Sequence, residues 1–283
     1  MHVVIILISL ALSWGIRLAT PEFTGTWHQR WQKALFFFLL PPLLLLMSTL
    51  AILVMGASGH MLGLHASWWG FDLALGFVLC ALGLAIKHTH EARQSWQQLS
   101  LYPQKQIGNQ WVRILAFSLP YSAQIGFWQP ELVISQGLLD SLDEEHLEAV
   151  LAHEKAHQHY RDTFWFFWLG WLRSLTSWLP CTQTLWQELL LLREMRADRQ
   201  AIQKVDPLVL AESLLTVAKA PLTPPQSFSS FCVPLYSPME SNRLSQRIDA
   251  IFGDCQDSNC SKNWSWFWLL LAFLPWLTVP FHY

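Results

Sequence analysis

Charge is what this sequence has least of. Only 13% of its 283 residues are Asp, Glu, Lys or Arg, and between Ala34 and Phe71 there is none at all. A soluble globular domain carries about a quarter of its residues as charges, so the composition excludes an ordinary soluble enzyme and points to membrane spans. The formal net charge of −2 lacks the basic footprint of nucleic-acid binding. Cysteine is scarce as well. Cys80, Cys181, Cys232, Cys255 and Cys260 make no even framework, which argues against a disulfide scaffold and for a reducing side of the membrane. Cys255 and Cys260, beside Asp254 and Asp257, read as unpaired loop cysteines. No Lys or Arg precedes the apolar run Val3–Ile16 and no small-residue cleavage site follows it, so that run is expected to be a retained span and not a signal peptide. There is no internal repeat and no nucleotide-binding glycine loop.

What is present is apolar length. Residues 34–55 and 67–86 are each long enough to cross a bilayer, joined by a Gly/Ser/His turn at 56–63. Pro41-Pro42 should kink the first of these two, which is tolerable where a neighbouring helix covers the freed carbonyl. Asp72, near the start of the next, is either interfacial or a buried functional acid. Lys87, Arg93, Lys105 and Arg113 follow, so the positive-inside rule places the N-terminus outside and residues 87–262 in the cytoplasm. His88 and His90, two apart, do not share a helical face and read as interfacial polar residues. A last tryptophan-belted span is expected at 264–279.

Within the cytoplasmic stretch, Asp143–Tyr160 contains His153-Glu154-Lys155-Ala156-His157, an HExxH pattern. On a helix, residues four apart share a face, so His153 and His157 can reach one ion. Glu154 falls about 100° further round, placed to take a proton from a water at that ion. Asp143 is the expected N-cap, with Glu144 and Glu145 on the positive end of the helix. Leu147, Val150, Leu151 and Glu154 continue at helical spacing. A catalytic zinc takes three protein ligands and one open position. Downstream, Glu194 and Asp198 stand four apart in Arg193-Glu194-Met195-Arg196-Ala197-Asp198. Glu194 is the candidate third ligand, and Asp198 can hold the far nitrogen of a ligand histidine.

Residues 111–117 and 131–135 read as two short strands separated by a Pro/Gly/Gln-rich turn. Their exposed edge could add an extended peptide to the sheet, or the pair could simply be a hairpin packed on the HExxH helix. The segment 163–179, with four tryptophans, has the hydropathy of a span. Geometry forbids a crossing, because His153 and His157 precede it, Glu194 follows it, and no second run long enough to return lies between. It is expected to be an aromatic helix at the membrane interface. Residues 220–238 form a Pro/Ser-rich loop, and Ser241–Ile251 a short basic amphipathic helix. Tyr236 and Arg243 are candidates for stabilising the oxyanion.

Taken together, these stretches resemble the membrane zinc metallopeptidases of the BlaR/MecR antirepressor type. The resemblance rests on Pro130-Glu131-Leu132-Val133-Ile134-Ser135 with Gly137-Leu138-Leu139, on Leu147–Ala152 leading into HExxH, and on Trp178-Leu179-Pro180 ahead of the glutamate helix. Arg-Glu-x-Arg-Ala-Asp is also similar to the membrane heat-shock and prenyl-protein proteases of the wider clan. The resemblance implies one zinc ion per chain held by His153, His157 and Glu194, with Glu154 as general base and Asp198 supporting a ligand. The expected fold is mainly α, a multi-pass membrane protein with about four transmembrane helices and a small cytoplasmic α+β zincin-like domain. Residues 1–86 would hold three spans, 87–262 the peptidase and 263–283 the last span. The implied activity is cleavage of a cytoplasmic or membrane-proximal protein by an enzyme of the bacterial plasma membrane, with a BlaI/MecI-type repressor as a partner. The alternatives are a quality-control protease of membrane proteins and a zinc-binding signalling protein without turnover. The family's drug sensors carry an external penicillin-binding domain after the last span; the sequence ends at Tyr283, and β-lactam sensing is not expected.

Overall fold

The structure is a computed structural model, and it describes residues 1–61, 64–108, 110–218, 233–234, 241–253 and 266–282. The fold is mainly helical with a small sheet. Two compact units divide the chain: residues 1–86, 169–189 and 257–283 form the first, and residues 87–168 and 190–256 the second.

The first unit begins with α1 (His2–Leu18) and α2 (Trp27–Met55). Thr26 starts α2 with a capping box, its hydroxyl accepting from Gln29 N and Gln29 reaching back to Thr26 N. Pro41 and Pro42 lie inside α2 and remove two ladder donors. The carbonyl that Pro42 leaves without its helical partner is that of Phe38. Arg17, buried on α1, donates to it at 3.2 Å. Ser13 donates to Pro41 O at 3.3 Å, and Ser9 and Ser48 share a bond of 2.6 Å. A polar seam between the two helices therefore covers the carbonyls freed at the prolines, as an apolar helix with internal proline needs.

β1 (His60–Met61) and β2 (Leu64–His65) make a short antiparallel pair. α3 (Trp68–Ser100) follows. Its apolar part matches the expected third span, but the helix continues fourteen residues past Ile86, a length that hydropathy alone could not show because the extension is charged and polar. Among the described residues, α2 and α3 are long and apolar enough to cross a membrane. Residues 266–281, expected as part of an α-helical span, form a 3₁₀ helix containing Pro275 and Pro280. Trp268 from it meets Phe36 edge to face at 5.1 Å. Sixteen residues in that tighter winding reach about 32 Å at a rise of about 2.0 Å.

The second unit is built on a five-stranded sheet with the order β3-β4-β6-β5-β7. The strands are β3 (Gln104–Ile107), β4 (Gln110–Leu115), β5 (Ser122–Ile125), β6 (Glu131–Ser135) and β7 (Val233–Pro234). The two strands read from the sequence are β4 and β6, and here the expectation of a hairpin fails. They run parallel, Val112 against Leu132 and Ile114 against Ile134. The stretch taken for a turn contains β5, which pairs antiparallel with β6. All four residues of β5 are buried, yet its sequence alternates: Ser122 and Gln124 turn to α5, while Ala123 and Ile125 join the core cluster on the other face. The open edge expected of the two strands is taken: β3 pairs with β4 and β5 with β6, and β7 pairs with β5 at Ala123 and Gln124.

Against this sheet pack α4 (Gln136–Ser141) and α5 (Glu144–His159); α8 (Pro207–Ala218) packs on α5, and α9 (Ser241–Phe252) on α8. Val112, Leu132, Ile134, Leu138, Val150, Leu210, Leu214 and Ile251 form one buried cluster. Burying each large aliphatic side chain contributes about 1.5–3 kcal/mol. α6 (Asp162–Leu175) is the aromatic segment. Its fourteen residues reach about 21 Å. α7 (Thr182–Ala201) carries the downstream acids.

The start of α5 is as expected: Asp143 caps it, accepting from His146 N at 2.9 Å. His146 adds its ring, Nδ1 lying 2.7 Å from Asp143 and Nε2 3.2 Å from Glu212 of α8. These two carboxylates raise the His146 pKa above the ordinary 6.5, the Asp143 bond most. A pKa raised in the folded state adds stability that is complete below the unfolded value and is lost as pH rises through the folded one. His146→Gln should therefore be less stable than wild type in urea at pH 5.5, with the gap closing as pH rises well above 6.5.

Candidate active site

α5 turns His153, Glu154 and His157 into the interior, all of them buried, and α7 does the same with Glu194 and Asp198. The Nε2 atoms of His153 and His157 are 3.1 Å apart. Glu194 Oε2 lies 3.4 Å from the first and 3.8 Å from the second. These three side chains form a buried group that can hold a metal ion, their ligand atoms all within 4.8 Å of one another.

The donor set fits a cation on chemical grounds. His157 Nδ1 lies 2.7 Å from Asp162 Oδ2, and His153 Nδ1 lies 2.8 Å from Asp198 Oδ1. A carboxylate beside each Nδ1 favours the proton there, and in that tautomer both Nε2 lone pairs turn inward, toward each other and toward Glu194. Glu194 Oε2 is buried with no hydrogen-bond partner among the described residues. Three electron-rich atoms facing one gap repel unless positive charge sits between them. Burial alone would depress the His157 pKa, yet Glu194 and Asp162 carry it up to about 9, so the surrounding acids favour positive charge at this ring.

Glu154 stands beside this gap. Ser122 Oγ donates to its Oε1 at 2.7 Å, and Gln124 Nε2 to its backbone carbonyl at 3.2 Å. Its Oε2 is buried without a partner among the described residues. Burial pushes its carboxyl pKa up, against the pull of the two histidines and Ser122. A raised carboxyl suits a group that must both accept and return a proton.

Arginines balance the remaining acids. Arg193 Nε donates to Glu194 Oε1 at 2.8 Å while its guanidinium lies over the Phe166 ring. Arg196 pairs with Asp162. Arg247 of α9 grips Asp198 with both arms, Nε to Oδ2 and Nη2 to Oδ1 at 2.8 Å each, and its Nη1 is 3.5 Å from Glu194 Oε2. Burial works to raise the carboxyl pKa of both Glu194 and Asp198. Arg193 and His157 nevertheless hold Glu194 well below the usual range, and Arg247 and His153 hold Asp198 down.

Every site residue named from the sequence on α5 and α7 thus comes into one cluster. Residues 93–222 match the model of peptidase family M48. The M48 match supports a zinc metallopeptidase family and does not single out the antirepressor type. It contains His153, Glu154, His157, Asp162, Glu194 and Asp198, whereas Arg247 lies outside it. No curated protein matches the chain.

Sequence reasoning missed Asp162, Ser122, Gln124 and Arg247. Arg243 was the arginine singled out on α9, but Arg247, one turn on, is the one that reaches the buried acids. The signal was present: Leu244, Arg247 and Ile251 fall at i, i+3 and i+7, and both flanking residues pack on the core, which marks the inward face. Ser122 and Gln124 stand two apart in the alternating stretch Tyr121–Ile125, which marks one face of a strand; Asp162 carried no comparable signal. Tyr236, Cys232, Cys255, Cys260 and most of the loop at 220–238 lie outside the described residues.

Proposed function

We propose that the chain is a membrane-embedded zinc metalloendopeptidase that cleaves a cytoplasmic or membrane-proximal protein. The observation that carries this reading is the convergence of two imidazole nitrogens and a carboxylate oxygen, with the Glu154 carboxylate beside them. His153, His157 and Glu194 would hold the ion, and Asp198 and Asp162 would orient the two imidazoles. Zinc bound there would acidify a water and polarise the scissile carbonyl. Ser122 fixes one oxygen of Glu154, leaving Oε2 to take a proton from the attacking water and return it to the leaving amine. A purely structural zinc is closed by four ligands and needs no such base, which favours turnover over a silent signalling role.

The membrane placement extends this reading. Four spans, with the peptidase on the cytoplasmic face of a bacterial plasma membrane, follow from the basic residues after Ile86 and from α1 and the 3₁₀ helix joining α2 and α3 across the bilayer. A small DNA-binding repressor of the BlaI/MecI kind suits a peptidase facing the cytoplasm, and the chain itself makes no nucleic-acid contact in this scheme. The test begins with detergent-purified protein. One zinc per chain is expected, cleavage should fall at least about 10²-fold on chelation, and zinc should restore it. Undiminished cleavage after complete metal removal would sink the assignment. New protein ends in cells then decide the substrate: one repressor supports signalling, and many membrane proteins support quality control.

A further inference from the structure

A cavity of about 730 Å³ lies in the second unit, between the last turns of α3, the β5–β6 connection and the first turns of α6. Its body is aromatic: Trp96 stands on α3, Phe127 and Trp128 on the connection, and Phe167 and Trp168 on α6. Phe127 joins these walls, its ring centroid 4.9 Å from that of Phe167 and 6.3 Å from that of Trp168. The lining also carries polar groups, Thr89, Arg93, Gln129, Glu131 and Thr163. Glu131 accepts from Arg113, and the Thr163 hydroxyl is closed off from the cavity space. Arg93 and Gln129 are exposed, and neither has an ion pair or hydrogen bond among the described residues. With Glu131 held by Arg113, the charge left over at the cavity is one cation.

Two observations fit this cavity to a membrane interface. Trp96, Trp128 and Trp168 are exposed, and so is Trp165, one turn back along α6. Tryptophans collect at the headgroup level of a bilayer, where the ring lies against hydrocarbon and its N–H meets water. The second observation is depth. Thr89, Ala92 and Arg93 follow Ile86 on α3 by three to seven residues, about 5–10 Å of helix rise beyond its apolar part. The headgroup layer is about 5–8 Å deep, and an arginine stem reaches back toward it.

We propose that the cavity binds one anionic phospholipid, with an acyl chain against the Trp96, Phe127 and Phe167 walls and the phosphate paired with Arg93 and Gln129. The proposal rests on the membrane placement proposed for the chain and not on its peptidase activity. An acyl chain has no polar atom to satisfy and suits an aromatic wall. A phosphate meets a guanidinium through two parallel hydrogen bonds, and an amide N–H adds a third. Basic pockets on the cytoplasmic side of a membrane hold phospholipid heads by this chemistry. A zwitterionic head brings an ammonium as well, and the one acid in the lining, Glu131, is already bound to Arg113. The site therefore selects the anionic lipid.

The test uses the full chain in detergent, stripped of lipid and titrated with phosphatidylglycerol or phosphatidylcholine, with bound lipid counted by native mass spectrometry. One phosphatidylglycerol per chain should be held about fivefold more tightly than phosphatidylcholine, the effect of one arginine near an anionic head. Arg93→Gln should erase that preference, and Gln129→Glu should lower phosphatidylglycerol retention by at least about the same factor. Both residues are exposed, so these variants keep the test open if Ala92→Trp, which projects bulk from the α3 wall, fails to fold. If it folds, it should abolish retention of both lipids. Lys87→Gln, on α3 but outside the lining, should change nothing. A phosphatidylglycerol with a diazirine on its acyl chain should label Phe127, Phe167 or Trp168 on irradiation. Equal retention of the two lipids by wild type, an equal loss in Lys87→Gln, or labels confined to other elements overturns the site. Competition by inorganic phosphate at the lipid's concentration would make it an anion site and remove the lipid. Retention is read without cleavage. A chain that holds phosphatidylglycerol but cuts no protein keeps the site and loses the protease reading, and one that cuts but holds no lipid loses the site alone.

Discussion

Glu154→Gln is expected to lower kcat/KM by about 10²–10⁴-fold while the protein keeps its zinc and its fold. The substitution changes almost nothing but the proton chemistry. Ser122 donates to Oε1 of the carboxylate and can donate equally to the amide oxygen of glutamine. What replaces Oε2 is an NH₂ group, a donor with no basic lone pair, so no group at that position takes the proton from an attacking water. His153, His157 and Glu194 are untouched, so zinc stoichiometry measured by mass spectrometry should match wild type. Glu154 is fully buried and its carboxyl is pushed up by that burial. Making it neutral removes a desolvated acid from beside Glu194, so the thermal midpoint should stay level or rise. Loss of turnover with unchanged or higher stability separates a catalytic residue from a structural one. Retention of wild-type cleavage with full zinc would remove Glu154 from the mechanism.

The parts of this site that could be read from the chain are those whose geometry is local. Four-residue spacing puts His153 with His157, and Glu194 with Asp198, on common faces of α5 and α7 whatever the rest of the fold does. The Asp143 cap is local too. Tertiary partners are a different matter. Ser122 reaches Glu154 across thirty-two positions and Arg247 reaches Asp198 across forty-nine, and no periodicity encodes such pairs. β5 escaped notice because its alternation, from Tyr121 to Ile125, is only five residues long and lies between Pro120 and Gly126, which read as turn residues. The parallel pairing of β4 and β6 followed from that miss, since an unseen strand between them removed the premise of a hairpin. α3 outran its expected end for the opposite reason: hydropathy marks where apolar length stops, not where a helix stops. Arg17 shows the same limit inside the first unit. It directly follows the apolar run Val3–Ile16 in the sequence, and its guanidinium reaches the Phe38 carbonyl beside the two prolines.

The second large effect is expected at Arg247. Arg247→Met keeps much of the apolar stem and removes the only guanidinium that bridges the α9 helix to both Asp198 and Glu194 among the described residues. Breaking a buried ion pair from one side strands the other charge, and the loss is about 3–5 kcal/mol, measurable as a lower urea midpoint of the second unit. The neighbouring arginines do not compensate, because Arg193 is bound to the other oxygen of Glu194 and Arg196 to Asp162. Arg247→Lys separates charge from geometry. An ammonium restores the positive charge but not the two-armed grip on Asp198, so stability should recover in part. Asp198 would still be free to turn, and with it the His153 ring that its carboxylate steadies. Zinc affinity in the lysine variant should therefore stay about 10–100-fold below wild type, the usual effect of losing a partner behind a metal-binding histidine. A methionine variant as stable as wild type would mean that Asp198 and Glu194 draw their compensation from elsewhere. A lysine variant with undiminished zinc affinity would mean that His153 holds its orientation without the arginine. Either result would detach α9 from the metal group, and the buried arginine outside the M48 match would lose its role in the site.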